Sequence, residues 1–354
     1  MKKLFSLLLG TAAVFTASAF AQNATTTPVG AMTYTLNATV GVVNTYLSVP
    51  LTDSPVYSGA VLSFGNTTVT FNGTVFTAGA LAQSGSPYFL RFQSGNQTGR
   101  TMLITANTAN STTVDVSNNT SQATNLNASG NFTVAVGDAV QIFAGDTLAS
   151  FFGSTANATT GYLNGVALKG ASSALSADTV SIYNRLTLKQ DTYFFSTTLG
   201  YWKLSSSNAN ANGMILYPDA SFLITRRTGR PAISFTVLGD VPAVAPKIKT
   251  AGSTQIVYGA NPFPVDMTLG TLNLVNWTKA NSALSADTIS IYNPLLLKMD
   301  TYYQKLDGTW RKSGDTTTDQ SSFAVPAGSA LSFLKRAAVS GAGSFLGAPL
   351  PYGL

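Results

Sequence analysis

Histidine and cysteine are both missing from this 354-residue chain. Glutamate is missing as well, since all 14 acidic residues are aspartates. Each absence removes chemistry. Without histidine there is no Ser-His-Asp or Cys-His arrangement and no general base of near-neutral pKa. Without His, Cys and Glu, a zinc centre loses nearly all its usual ligands, and no disulfide can staple the fold. No Gly-x4-Gly-Lys-Ser/Thr loop for nucleotide phosphates occurs. Charge of either sign is scarce, at 10% of residues. Two aspartates would still suffice for glycosidase or aspartic-protease chemistry, although no Asp-Thr-Gly triplet is written anywhere. No enzyme activity and no cofactor is therefore expected.

What is present begins with MKKLFSLLLGTAAVFTASAFA, residues 1–21. Lys2 and Lys3, a short apolar run and the small-x-small triplet Ala19-Phe20-Ala21 form the pattern of a secretory signal peptide. Export is expected, to the periplasm, cell surface or medium. No later apolar run is long enough for a membrane-spanning helix. With Lys2 and Lys3 removed, 18 basic residues face 14 acidic ones, leaving +4.

The remaining composition is that of pleated surfaces, rich in Thr, Val, Tyr and Phe, with Asn and Gly where tight turns want positive backbone angles. Short alternating runs such as MTYTL (32–36), VTF (69–71) and TMLITAN (101–107) are separated by turn residues, which predicts an all-β protein. Residues 22–145 read as a small β-barrel or sandwich. The polar stretch 107–131, with Asn-x-Ser/Thr triplets at Asn110, Asn119 and Asn127, reads as mostly solvated loop.

The rest of the chain is written twice. SALSADTVSIYN (173–184) returns as SALSADTISIYN (282–293), and 17 of 21 positions are identical between 173–193 and 282–302. Trp202 answers Trp310, and YPDASFLITRR (217–227) answers VPAGSALSFLKR (325–336). A match this long is a whole module made twice, so two tandem β-sandwich-like modules are expected, at 146–250 and 251–354. In DTVSIYN, Val180 and Ile182 share one face and Thr179 and Ser181 the other, the mark of a half-buried strand. Asp178, Asp287, Asp191 and Asp300 read as turn residues whose carboxylates accept backbone N–H groups.

The chain also resembles a paralogous family of exported, β-rich proteins expanded in Verrucomicrobium-type bacteria. The likeness lies in PVGAMTYTL…TYLSVPL (28–51), GAVLSFGNTTVTFNG (59–73), AVGDAVQIFAGDTLASFF (135–152) and the two ADT…IYN…W…SFL blocks. The resemblance implies export, a β-rich fold and many sibling copies per genome. It brings no catalytic residue.

Three constellations could carry binding. Tyr193, Trp202, Tyr302 and Trp310 could stack on sugars from two repeated faces. Arg226-Arg227 and Lys335-Arg336, with Arg230, Lys247 and Lys249, could form an anionic-polymer patch, although solvated strand ends are the simpler reading. Asp138 and Asp146 could join carbonyls around calcium, which wants several converging oxygens. The expected function is a non-catalytic structural or assembly role in the cell envelope, with self-association or envelope polymers as partners and no nucleic acid. The alternatives are a carbohydrate-binding or adhesion module using the repeated aromatics, and an outer-membrane barrel, which the short strands disfavour.

Overall fold

A computed structural model describes residues 28–116, 126, 133–184, 187, 189–218, 220–249, 255–293, 296, 298–336 and 345–353. The expected signal peptide, Asn119 and Asn127 lie outside them. The protein is almost entirely β, as the alternating runs predict. Among the described residues, helix is confined to Leu148–Phe152 and a 3-10 turn at Leu269–Thr271.

The two repeats build the same sheet. In the second, strands pair in the order Gln255–Ala260, Ala330–Lys335, Thr288–Asn293, Lys298–Gln304, Trp310–Lys312. In the first, the order is Val43–Ser48, Ser221–Arg226, Thr179–Asn184, Lys189–Ser196, Tyr201–Leu204. Two further strand pairings are shared as well. Val29–Leu36 pairs with Ile233–Asp240 as Ile248–Lys249 pairs with Phe345–Leu346. Asp146–Thr147 pairs with Ile215–Leu216 as Met267–Thr268 pairs with Ala324–Val325.

This correspondence corrects the expected domain boundary. Val29–Leu36 and Val43–Ser48 precede residue 145, yet they complete the first repeat, taking the places of Ile248–Lys249 and Gln255–Ala260 in the second. The first repeat is therefore split. Its two opening strands come first, a separate β unit follows from Tyr57 to Ala144, and the repeat resumes at Asp146. Among the described residues the inserted unit is one sheet of eight strands, running from Tyr57–Ala60 at one edge to Ser63–Phe64 at the other, over its own core of Val69, Phe71, Phe92, Met102, Ile104 and Ile142.

The cores follow the alternation. Met32, Tyr34 and Leu36 point into the first repeat's core beside Val180 and Ile182, while Thr33 and Thr35 face outward and bond Thr236 and Ser234 across the ribbon. Burying each large aliphatic side chain contributes about 1.5–3 kcal/mol. Ile289, Ile291, Tyr302, Trp310 and Phe333 do the same in the second repeat.

The expectation of a half-buried strand at 179–184 does not hold. Thr179, Val180, Ser181 and Ile182 are all buried. Val180 and Ile182 pack on the core, and the other face carries Tyr183, which reaches Ile256 and Tyr258 of the second repeat. Thr and Ser suit that second face because small side chains with locally bonded hydroxyls let two sheets approach: Ser181 bonds Thr192, and Ser290 bonds Thr301, each at 2.9 Å.

Candidate functional site

The repeated aspartates are consumed by the framework. Asp178 Oδ2 accepts the Lys169 backbone N–H at 3.0 Å, and Oδ1 accepts that of Arg227 at 2.9 Å and Arg230 Nε at 3.0 Å. Asp287 accepts the N–H groups of Thr278 and Arg336, both at 2.7 Å, and the Lys335 ammonium. Both carboxylates accept backbone N–H groups from distant segments, so each ties three stretches of chain together. Asp191 and Asp300 are not in turns at all. They lie within strands Lys189–Ser196 and Lys298–Gln304 and accept the amides of Asn184 and Asn293 across the hairpin, at 2.8 and 2.9 Å. Burial alone would raise the Asp300 carboxyl; the Asn293 amide and Lys312 ammonium outweigh it and hold the carboxyl below its ordinary range.

The four aromatics proposed to stack on sugars are interior. Tyr193, Trp202, Tyr302 and Trp310 are 6%, 0%, 1% and 2% exposed. Trp202 lies against Phe152 and Phe195 and donates its indole N–H to the Gly153 carbonyl at 2.8 Å. A face covered by its own core offers a sugar nothing to stack on. Each repeat must fill a core between sheet and ribbon, and the largest rings do so.

Burial sets the tyrosines' chemistry. It pushes the Tyr193 and Tyr302 phenols up to about 12, helped by Asp191 and Asp300. In the unfolded chain a phenol titrates near about 10. Between those values the folded state holds more protons, so stability falls with rising pH. Urea midpoints are therefore expected to show no tyrosine contribution below about pH 10 and to decline steeply above it. Midpoints flat through pH 12 would contradict this burial.

Tyr183 and Tyr292, identical in the repeated text, form the joint between the two copies. Tyr183 donates to the Ile256 carbonyl at 2.8 Å and meets the Tyr258 ring at 5.0 Å. Tyr292 donates to the Asn44 carbonyl and meets Tyr46 at 5.2 Å. Asn44 and Tyr46 occupy in the first repeat the places of Ile256 and Tyr258 in the second. The contact is thus made twice about an internal pseudo-two-fold axis, as between the subunits of a symmetric dimer. Gly328 lies at the same boundary. Its φ is +65°, and a Cβ there would stand 2.7 Å from the Tyr34 hydroxyl.

The basic pairs form no common patch. Arg226 is buried and donates to the carbonyls of Leu36, Asn37 and Pro231, and Lys335 is buried on Asp287. Arg227 and Arg336 instead reach back to the repeated loops, donating to Ala177 and Ala286 carbonyls at 3.0 Å. Lys247 bonds the Asn96 carbonyl, and burial with Arg100 nearby lowers its ammonium to about 8.

The site that sequence reasoning did not find is a pocket at the root of the insertion. Thr52 and Asp53, where the chain leaves the first repeat, and Gly145 and Asp146, where it returns, border a pocket of about 530 Å³ including its open mouth. Leu51, Phe151, Leu216 and Phe222 supply apolar walls. Asp53 is exposed, yet partial desolvation raises its carboxyl, and Asp240 adds to the rise. Asp146 is raised by burial and by Asp53, against the lowering hydrogen bond from Ser150 at 2.9 Å. Asp138, the suggested calcium partner of Asp146, accepts the Ala135 N–H within a loop of the insertion. Among the described residues no three acidic side chains gather as a metal site would require.

No protein-family model and no curated protein matches the chain. Among the described residues no helix is long and apolar enough to cross a membrane. Function therefore rests on the geometry above.

Proposed function

We propose that this is a non-catalytic, exported structural protein of the cell envelope that associates with copies of itself. One observation carries the reading. Among the described residues, the large apolar and aromatic side chains repeated in both copies are absorbed by cores and the internal joint, with one exception. Leu175 and Leu284, at the same place in each copy, are 84% and 83% exposed.

Their loops are held firmly. Ser173 and Ser282 open single turns closed by the N–H groups of Ala177 and Ala286, each at 3.0 Å. Arg227 clamps the Ala174 and Ala177 carbonyls, and Arg336 clamps those of Ala283 and Ala286. A large apolar side chain on a loop already ordered loses little entropy on docking, and two such knobs on one chain favour repeated contacts with like units. The signal-peptide pattern of residues 1–21 and the resemblance to exported β-rich proteins support an envelope location.

Fractionation and immunogold labelling of cells, with sedimentation of the purified chain, test the proposal. Envelope label and concentration-dependent oligomers that disappear in the L175S/L284S double variant are expected. A soluble periplasmic monomer at every concentration overturns it.

A further inference from the structure

The pocket at the root of the insertion has features that the structural role leaves unused. Its acidic residues lie where the repeats differ. Asp146 occupies the place that Met267 takes in the second repeat, since Asp146–Thr147 and Met267–Thr268 make equivalent ribbons and both threonines cap the turn that follows. The second repeat also has no insertion between Ala260 and Met267, so nothing there corresponds to the Asp53 side of the pocket. The framework aspartates Asp178/Asp287 and Asp191/Asp300 are written alike in the two copies; this one is not.

The carboxylates also come without cations. The chain carries a net charge of +6, yet among the described residues no lysine or arginine pairs with Asp53, Asp146 or Asp240. Asp240 does not line the pocket; it pairs with Thr52, next to Asp53. It is 4% exposed; its Oδ1 takes the Ser54 hydroxyl at 3.0 Å, and its Oδ2 has no hydrogen-bond partner. Mutual repulsion of carboxylates in a partly desolvated site disfavours their charged forms, and a bound cation would relieve it. A bare metal ion is poorly served, because among the described residues no third acidic side chain joins the two pocket carboxylates and such an ion wants several converging oxygens. An apolar chamber fronted by separated carboxylates suits a cation with an apolar body.

We propose that this pocket binds a small organic amine, its ammonium held between Asp53 and Asp146 and its aliphatic or aromatic body against Leu51, Phe151 and Phe222. The reading is independent of the assembly role, which rests on the loops at Leu175 and Leu284, neither of which lines the pocket.

The probe is phenethylamine, compared with its neutral counterpart phenethyl alcohol, titrated calorimetrically into the full exported chain near neutral pH. Phenethylamine is expected to bind with a Kd of about 1 mM or tighter, and the alcohol at least about tenfold more weakly, as loss of a charge-assisted bond implies. D53N, at an exposed position, and D146N should each weaken the amine about tenfold or more. A220L fills the pocket while sparing both carboxylates, and should abolish binding with the unfolding midpoint retained. Equal binding of amine and alcohol, indifference to D53N and D146N, or displacement of the amine by low-millimolar calcium would each overturn the proposal. So would the absence of any heat on titrating the amine.

Discussion

Replacing Asp287 with alanine is expected to destabilise the second repeat by about 3–5 kcal/mol, the penalty of stranding one partner of a buried ion pair. The Lys335 and Asp287 side chains are 1% and 0% exposed. Removing the carboxylate leaves the ammonium facing the Trp277 ring at 5.9 Å, without a counter-charge, and orphans the N–H groups of Thr278 and Arg336. The first repeat supplies its own control. Asp178 pairs with Arg230, whose side chain is 10% exposed and near the surface, so the freed guanidinium in D178A can turn to water. D178A should therefore lose less than D287A. Hydrogen exchange read by mass spectrometry after urea titration localises the loss to residues 255–336. Indistinguishable profiles for the two variants would refute the argument. Replacing both Asp287 and Lys335 by apolar residues of similar size should recover much of the loss.

Trp202→Ala is expected to lower the stability of the first repeat by about 3–5 kcal/mol. Trp202 is fully buried against Phe152 and Phe195, and its loss leaves a cavity together with an unpaired Gly153 carbonyl. Trp202→Phe keeps much of the packing and removes the indole N–H, so it should cost less. Urea unfolding followed by tyrosine absorbance reads both without depending on the deleted indole. The same variant decides between packing and sugar stacking. A surface stacking residue would change glycan binding and leave the midpoint alone, whereas a core residue moves the midpoint.

The duplication was legible because it is written in letters. Why particular letters recur was legible only in part. Trp202 and Trp310 are the same residue type whether they stack on a sugar or fill a core, and local pattern does not distinguish the two. Thr179 and Ser181 look like a solvated face because polar side chains usually mark one; here both are buried, on the face that also carries Tyr183, which reaches Ile256 and Tyr258 of the second repeat. Tyr183 and Tyr292 offered a signal that could have been used: a large ring on the polar face of a strand, in both copies, needs a partner. Asp53 and Asp146 offered almost none, being separated in the chain by the whole insertion. The one trace was that Asp146 has no acidic counterpart at Met267, visible only once the ribbons are aligned.

By itself the order of residues determined the all-β class, the existence of two related modules and the alternation that buries Met32, Tyr34 and Leu36, because strand pitch and turn chemistry act over a few residues. Tertiary structure alone decided that Val43–Ser48 joins a sheet with residues 179–226 while Val29–Leu36 pairs with Ile233–Asp240, that the two copies meet through four tyrosines, and that a pocket bordered by Asp53 and Asp146 opens where the insertion leaves and returns. Those outcomes depend on pairings between segments remote in the chain, where a β-strand's edge carries the same N–H and C=O groups whatever its side chains, and only the competition among all available partners selects one.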